Sequence, residues 1–149
     1  MTLFDLDTRV RLCVMERFVE TGSPPTAREV AETLDVSEAE AAHTFRRLEQ
    51  GHVLVLAPAT DEIWMANPLS ATPTAFRVLT ERGSFWGNCV WDGLGVVAML
   101  GSDGVVATTC ADCGEPMELT VRDGSLEPVE GVAHFAVPAA RWWRNIAFT

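Results

Sequence analysis

Two residues able to bind a metal and transfer a proton stand close together in the chain, at Cys89 and Asp92. A turn containing glycine and asparagine precedes them, and the apolar stretch 96–100 that follows is typical of a short buried helix. If this helix begins near Cys89, the backbone N–H groups of its first turn favour the thiolate form of the cysteine. Asp92 then lies on the same helix face. Such a pair can bind a soft metal ion and pass a proton to a substrate.

The other three of the four cysteines are open to different interpretations. Cys110 and Cys113 form a C-x-x-C pair, which is half of a zinc-ribbon pattern without its second half. A redox-active dithiol needs a helix N-terminus, whereas this pair precedes a Gly-Glu-Pro turn and a strand. The pair has either a metal or thiol role or a place in a partly buried structural turn. Cys13 falls in an apolar helical pattern and is expected in the core.

Aromatic residues surround the Cys89 segment in the sequence. We expect Trp86, Trp91 and Trp143 to line an apolar pocket beside Cys89, suited to a small organic ligand. The sequence contains no recognisable Ser-His-Asp arrangement, phosphate-binding glycine loop or paired-carboxylate motif. Thiol chemistry is therefore the predicted chemistry.

Composition restricts the partners and the compartment. The 149 residues carry a net charge of −10, and this acidic field disfavours binding to nucleic acid. No apolar run approaches the roughly 20 residues that cross a membrane, and the acidic N-terminus does not resemble a signal peptide. We expect a cytoplasmic protein with reduced thiols and no membrane contact. The sequence does not predict the oligomeric state.

The first part of the chain, residues 1–67, is predicted to be a winged helix-turn-helix-like module. Three helices are expected at 5–20, 27–34 and 38–50, followed by strands at 53–56 and 62–66. Thr26 with Glu29 and Ser37 with Glu40 are capping-box pairs at the starts of the second and third helices. Acidic residues occupy the end of the third helix that would enter a DNA groove, so we expect the module to be structural.

The second part, residues 75–149, is predicted to be a mostly β domain around one buried helix, which makes the whole chain α+β. Residues 67–74 contain two prolines and are predicted to be a linker. The predicted strands are 75–79, 104–109, 117–122, 132–137 and 143–148. Asp123 and Gly124 form a hairpin turn signal.

In the order and spacing of its motifs the sequence resembles the alkylmercury lyases, also called organomercurial lyases. The resemblance covers the N-terminal module, the Cys-x-x-Asp element between Trp86 and Asp92, and the apolar helix that runs to Gly101. It also covers residues 105–121, with Cys110 and Gly114 in place. The resemblance implies a shortened member of this family.

The family's chemistry is implied for particular residues. Cys89 and Asp92 match a cysteine and an aspartate that act with a second, C-terminal cysteine. The thiolates take the mercury of R–Hg⁺, and the aspartate relays a thiol proton to the carbon leaving group. Cys110 matches a cysteine with a structural role. The implied substrate is a small organometallic compound, with no bound cofactor and with small thiols expected as co-reductants.

The second catalytic cysteine is missing from this chain. It is expected within 141–145, where tryptophan and arginine residues stand instead. Cys113 is extra relative to the family's turn and could take its place, which makes Cys89, Asp92 and Cys113 the predicted metal ligands. Three hypotheses follow: a shortened lyase that cleaves a carbon–mercury or related carbon–metal bond, a non-catalytic relative that binds a heavy metal or small organic ligand, and a winged-helix ligand-sensing transcriptional regulator.

Overall fold

A computed structural model describes residues 5–147, and this part of the chain combines helices with one antiparallel sheet. The helices are α1 (Leu6–Thr21), α2 (Ala27–Leu34), α3 (Glu38–Gln50) and α4 (Val90–Leu100). The strands are β1 (Val55–Leu56), β2 (Ile63–Ala66), β3 (Leu69–Ser70), β4 (Phe76–Thr80), β5 (Gly83–Gly87), β6 (Gly104–Thr109), β7 (Pro116–Arg122) and β8 (Ser125–Leu126). The predicted α+β class is confirmed.

The first three helices have the ends that the sequence predicts. In α2 and α3 the capping Thr26 and Ser37 accept a hydrogen bond from the backbone N–H of Glu29 and Glu40, whose carboxylates bond back to the backbone N–H of the capping residue. Each box satisfies two backbone donors that a helix start otherwise leaves unpaired. Helix α1 ends at Thr21, and the capping Gly22 that follows has a φ of 77°, which glycine adopts without strain.

One sheet connects the two halves of the chain. Its strand order is β1-β2-β3-β5-β4-β6-β7-β8, and every neighbouring pair is antiparallel. Strand β3 pairs with β2 on one side and β5 on the other, so the hairpin that follows α3 continues into the sheet of the second half. The segment 67–74, predicted to be a linker, therefore contains a strand. The division into units at 1–67 and 75–149 and the winged-helix assignment stay predictions.

Strand β5 is absent from the sequence prediction, which treats this region as a turn leading to a helix. Glycine and asparagine are typical of turns, but here Gly83 and Gly87 are the end residues of a five-residue strand and Asn88 follows it. Its register against β4 is continuous from Thr80–Gly83 to Phe76–Gly87. Strand β5 pairs with β4 along its whole length and with β3 at Gly87, and this long-range pairing outweighs its weak local propensity.

Two strands predicted near the C-terminus are wrong within the described residues. Residues 127–138 form no helix or strand, and Val132 is 93% exposed. Residues 139–144 form a 3-10 helix in place of the strand predicted at 143–148, whose last residue lies outside the described range. The indole Nε1 of Trp142 donates to the carbonyl of Val137 at 2.7 Å, which folds the segment back on itself. The alternating pattern finds no neighbouring strand to pair with.

Helix α4 packs against one face of the sheet. It contacts β3, β4, β5 and β6, and its buried Val96 and Val97 belong to the same apolar cluster as Val78, Phe85 and Val106. The opposite side of α4 is open to solvent. The prediction of a buried helix therefore holds for one face. Among the described residues, no helix has the length and apolar character needed to cross a membrane.

Candidate functional site

Cys89 caps the N-terminus of α4. Its backbone is extended, with φ of −145° and ψ of −178°, and its Sγ accepts a hydrogen bond from the backbone N–H of Asp92 at 3.4 Å. The N–H of Gly93 donates to the Cys89 carbonyl at 2.9 Å. The cysteine and the aspartate thus belong to one helical turn, and the prediction that the helix begins near Cys89 is confirmed.

The surroundings of the half-buried Cys89 favour its thiol form, because the net shift of its pKa is upward. Burial raises the pKa of Cys89, and the nearby Asp92 carboxylate adds to this increase. Hydrogen bonds from the backbone N–H groups of Asp92 and Trp91 act in the opposite direction without reversing it. The helix N-terminus therefore favours the thiolate of Cys89 as expected, but burial outweighs this effect and the net shift of the pKa is upward. Ionising this thiol requires a base or a bound metal cation.

Asp92 is a carboxylate with increased basicity. Burial raises the pKa of Asp92, while hydrogen bonds from the side chains of Asn88 and Cys89 partly oppose the increase. Interaction with the Cys89 side chain places proton donor and acceptor side by side. A carboxyl group with a raised pKa is suited to taking a thiol proton and releasing it to a substrate.

Asn88 is a site residue that the sequence analysis does not identify. Its Nδ2 donates to Oδ1 of Asn67 at 3.0 Å, and its side chain also interacts with the carboxylate of Asp92. Asn88 therefore joins the first turn of α4 to the loop between β2 and β3. Its position directly before Cys89 is the only signal in the sequence, and adjacency does not predict a hydrogen bond to a residue 21 positions away.

Two glycines bring the first turn of α4 against the sheet. A Cβ added to Gly87 would lie 2.6 Å from the backbone nitrogen of Gly93, and one added to Gly93 would lie 2.8 Å from a methyl group of Val106. The backbone at the end of β5 thus touches the backbone of the helix. This contact fixes the position of Cys89 and Asp92 above the sheet. The repeated glycines of the segment 87–95 are a recognisable signal for close backbone approach.

The three tryptophans predicted to line a pocket lie in different environments. Trp86 alternates with the buried Phe85 and Gly87, so it projects from the sheet face opposite α4, where the Arg77 guanidinium lies 5.9 Å from its ring centroid. Trp91 is 68% exposed on α4. Trp143 stacks on His52, with 4.1 Å between ring centroids and 2° between ring planes. Trp86 and Trp143 thus contact Arg77 and His52 in different parts of the fold, and the role of the three tryptophans as a pocket wall stays a prediction.

The Cys110–Cys113 pair lies in the turn between β6 and β7. All four cysteines are free; Cys113 is exposed and Cys110 is half-buried. The backbone N–H groups of Cys113 and Asp112, together with the Cys113 thiol, hold the pKa of Cys110 below its ordinary value. Cys110 therefore differs from Cys89 in being biased toward the thiolate.

The predicted three-residue metal set is not assembled. In the part of the chain from residue 5 to residue 147, no group of three or more His, Cys, Asp or Glu side chains is arranged to hold a metal ion. Cys89, Asp92 and Cys113 are therefore not brought together as one such group, and metal binding by Cys89 and Asp92 stays a prediction. The segment 141–145 supplies no cysteine, since its sequence is Arg-Trp-Trp-Arg-Asn.

Comparison with known proteins identifies the family. The chain is similar to the crystal structure of the mercury-bound form of MerB2, with a TM-score of 0.64 and 22% sequence identity. The alignment covers 80% of this chain but only 59% of that one, so the fold is shared over part of a longer protein. No curated protein matches the chain. The family model described as alkylmercury lyase matches residues 69–149, more than half of the sequence, and the chain belongs to the alkylmercury lyase family.

Proposed function

We propose that this protein cleaves a carbon–mercury bond by protonolysis, with Cys89 as the mercury ligand and Asp92 as the proton relay. The observation that carries the proposal is the placement of Cys89 and Asp92 together in the first turn of α4, where Cys89 Sγ accepts from the backbone N–H of Asp92 at 3.4 Å. Family membership over the region that contains both residues supports the same reaction. The substrate class is a small organomercurial, R–Hg⁺.

The first step is binding of R–Hg⁺ to the Cys89 sulfur. A mercury–sulfur bond forms, and the thiol proton moves to the Asp92 carboxylate. The raised pKa of Asp92 favours this transfer, since a more basic carboxylate holds the proton better. Soft sulfur is the appropriate donor for a soft cation.

The second step is transfer of that proton from Asp92 to the carbon attached to mercury. The carbon–mercury bond breaks, its electron pair takes the proton, and R–H leaves. Asp92 returns to the carboxylate form, and Hg(II) stays on Cys89. No oxidation state changes, so a small thiol is needed only as a second mercury ligand and not as a reductant.

Because residues 141–145 contain no cysteine, we assign the role of second mercury ligand to the external small thiol. Residues 141–144 lie in a 3-10 helix and contribute tryptophan and arginine side chains, neither of which is a soft anionic ligand. A single protein thiolate binds mercury more weakly than two thiolates do. We therefore infer that turnover depends on an added small thiol.

Arene release from an aryl-mercury salt tests the proposal. Reduced protein with excess small thiol should release free arene faster than thiol alone, whereas Cys89→Ser should abolish the protein-dependent rate. Asp92→Asn should lower it by about 100-fold or more, the usual contribution of a proton-transfer group. Asp35→Asn is a matched control, because Asp35 is exposed and its left-handed conformation tolerates asparagine. Mercury bound without arene release would contradict the proposal.

A further inference from the structure

The turn between β6 and β7 brings two cysteines to one side of the backbone. The N–H of Gly114 donates to the carbonyl of Cys110 at 2.9 Å, and the N–H of Cys110 donates to the carbonyl of Glu115 at 2.8 Å. The first of these bonds closes a single α-type turn, in which residues three apart share a face. Gly114 leaves the turn with a φ of 74°, which glycine adopts without strain. Cys110 and Cys113 therefore lie together.

Both sulfurs are available to a ligand. Cys113 is exposed, Cys110 is half-buried, and neither is in a disulfide. The Cys113 thiol and two backbone N–H groups of the turn interact with the Cys110 sulfur, so the two sulfurs are close to each other. The lyase reaction proposed above does not use either residue. Two adjacent soft donors on a preformed turn are suited to chelating a thiophilic metal ion.

The C-x-x-C turn and Cys89 lie at the same end of the sheet. Strand β4 separates β5 from β6, with Gly87 paired to Phe76 and Ala107 paired to the next residue, Arg77. Cys89 follows the end of β5, and Cys110 follows the end of β6. Because neighbouring strands are about 4.8 Å apart, the backbones of β5 and β6 lie about 10 Å apart there. The two thiol sites are neighbours without forming one ligand set.

We propose that Cys110 and Cys113 form a dithiolate site for inorganic Hg(II), separate from Cys89. Hg(II) prefers two soft ligands, and a chelating pair supplies both. R–Hg⁺ has carbon in one of those positions, so it can bond to only one sulfur and gains nothing from the second. The site therefore selects the Hg(II) ion over the organomercurial. Its further role as acceptor of the reaction product rests on the lyase function proposed above.

Transfer to this site balances without a redox step. After cleavage, Hg(II) is bound by Cys89 and by a small thiol. Two sulfur–mercury bonds break and two form, at Cys110 and Cys113. The protons of their two thiols pass to the Cys89 sulfur and to the released small thiol. Cys89 is then a free thiol again, ready for another substrate.

Mercury retention by chains that lack Cys89 tests the site independently of catalysis. Reduced Cys89→Ser protein is loaded with mercuric chloride, desalted in a small monothiol competitor, and analysed for bound mercury. We expect one Hg(II) per chain. Retention should fall about tenfold or more in Cys89→Ser/Cys113→Ser and in Cys89→Ser/Cys110→Ser, because the second attachment is lost. Cys89→Ser/Cys13→Ala should retain mercury, since Cys13 is buried in α1.

Phenylmercury provides the second arm of the test. Each turn thiol should bind phenylmercury on its own and weakly, so retention per turn cysteine should be the same in all of these variants. Equal Hg(II) retention with one or two turn cysteines would overturn the proposal, as would one Hg(II) shared between two chains in light scattering. Cys113 is exposed, so its variant remains informative even where the Cys110 variant fails to fold. Absence of arene release would not affect this result, because the Cys89→Ser chain cannot carry out the lyase reaction.

Discussion

At Asp92, the fold disfavours the charged form that a carboxyl group ordinarily has near neutral pH. Burial disfavours its charge, while Asn88 and Cys89 donate hydrogen bonds that only partly compensate. The sequence spacing is sufficient to place Cys89 and Asp92 in one turn. It is not sufficient to predict the direction of either pKa, since burial depends on how α4 packs against β5 and β6. Asn88 is missed for the same reason, because its partner Asn67 is remote in sequence.

Asp92→Asn should become more stable than the parent chain as the pH rises toward neutrality. Because burial raises the pKa of Asp92 above its unfolded value, the stabilising contribution is complete below the ordinary aspartate range and is lost as the pH rises through the folded pKa. Asparagine has no carboxyl proton to lose and stays neutral, so the variant keeps this stability as the pH rises. The expected gain at neutral pH is about 1 kcal/mol or less for a half-buried group.

Urea unfolding at acidic and neutral pH measures this difference. The gap between Asp92→Asn and the parent should narrow in acid. Asp35→Asn, which makes the same substitution at an exposed position, is the control. A variant that loses stability relative to the parent as the pH rises would show that hydrogen bonding to the carboxylate outweighs its burial.

At the scale of elements, the sequence predicts those that local signals determine and does not predict those that depend on long-range pairing. Helices α1 to α3 are predicted well because their caps are local and specific. Strands β3 and β5 are missed because prolines and glycines conceal them, and only their partners in the sheet stabilise them. The strands predicted at 132–137 and 143–148 fail for the opposite reason. The apolar and polar residues alternate there, but the segments do not pair with a neighbouring strand.

Gly87→Ala should disrupt the position of α4. The new Cβ would lie 2.6 Å from the Gly93 nitrogen, so the backbone of the helix must move. Such overpacking costs about 1–3 kcal/mol, and it also displaces the turn that carries Cys89 and Asp92. For this variant, the free energy of unfolding measured with denaturant and the rate of arene release should both decrease.

Gly51→Ala is the matched control for that substitution. Gly51 ends α3 with a φ of −80°, and an added Cβ would meet only ordinary contacts of 3.5 Å or more. We expect stability within about 0.5 kcal/mol of the parent and unchanged arene release. If Gly87→Ala behaved like Gly51→Ala, the close contact between β5 and α4 would not be what positions the site.

At the scale of the molecule, one core supports both the helices and the sheet. Buried residues of α1, α2 and α3 belong to the same apolar cluster as those of β2, β3, β4, α4 and β6. The ring stack between His52 and Trp143 adds a contact between the end of α3 and the C-terminal 3-10 helix. Ion pairs Arg46–Asp61 and Arg47–Asp7 connect the basic residues of α3 to the β1–β2 loop and to α1.

This shared core should make the chain unfold in one transition. Far-UV circular dichroism reports mainly the helices α1 to α3, whereas four of the five tryptophans lie after β3, so fluorescence reports the second half. The two midpoints should coincide, as expected for a single domain of this size. Val14→Ala in α1 and Val78→Ala in β4 remove fully buried methyl groups, and each should cost about 2 kcal/mol. Each should lower both midpoints together; a Val14→Ala chain whose fluorescence transition stayed in place would instead divide the molecule into two independently folding units.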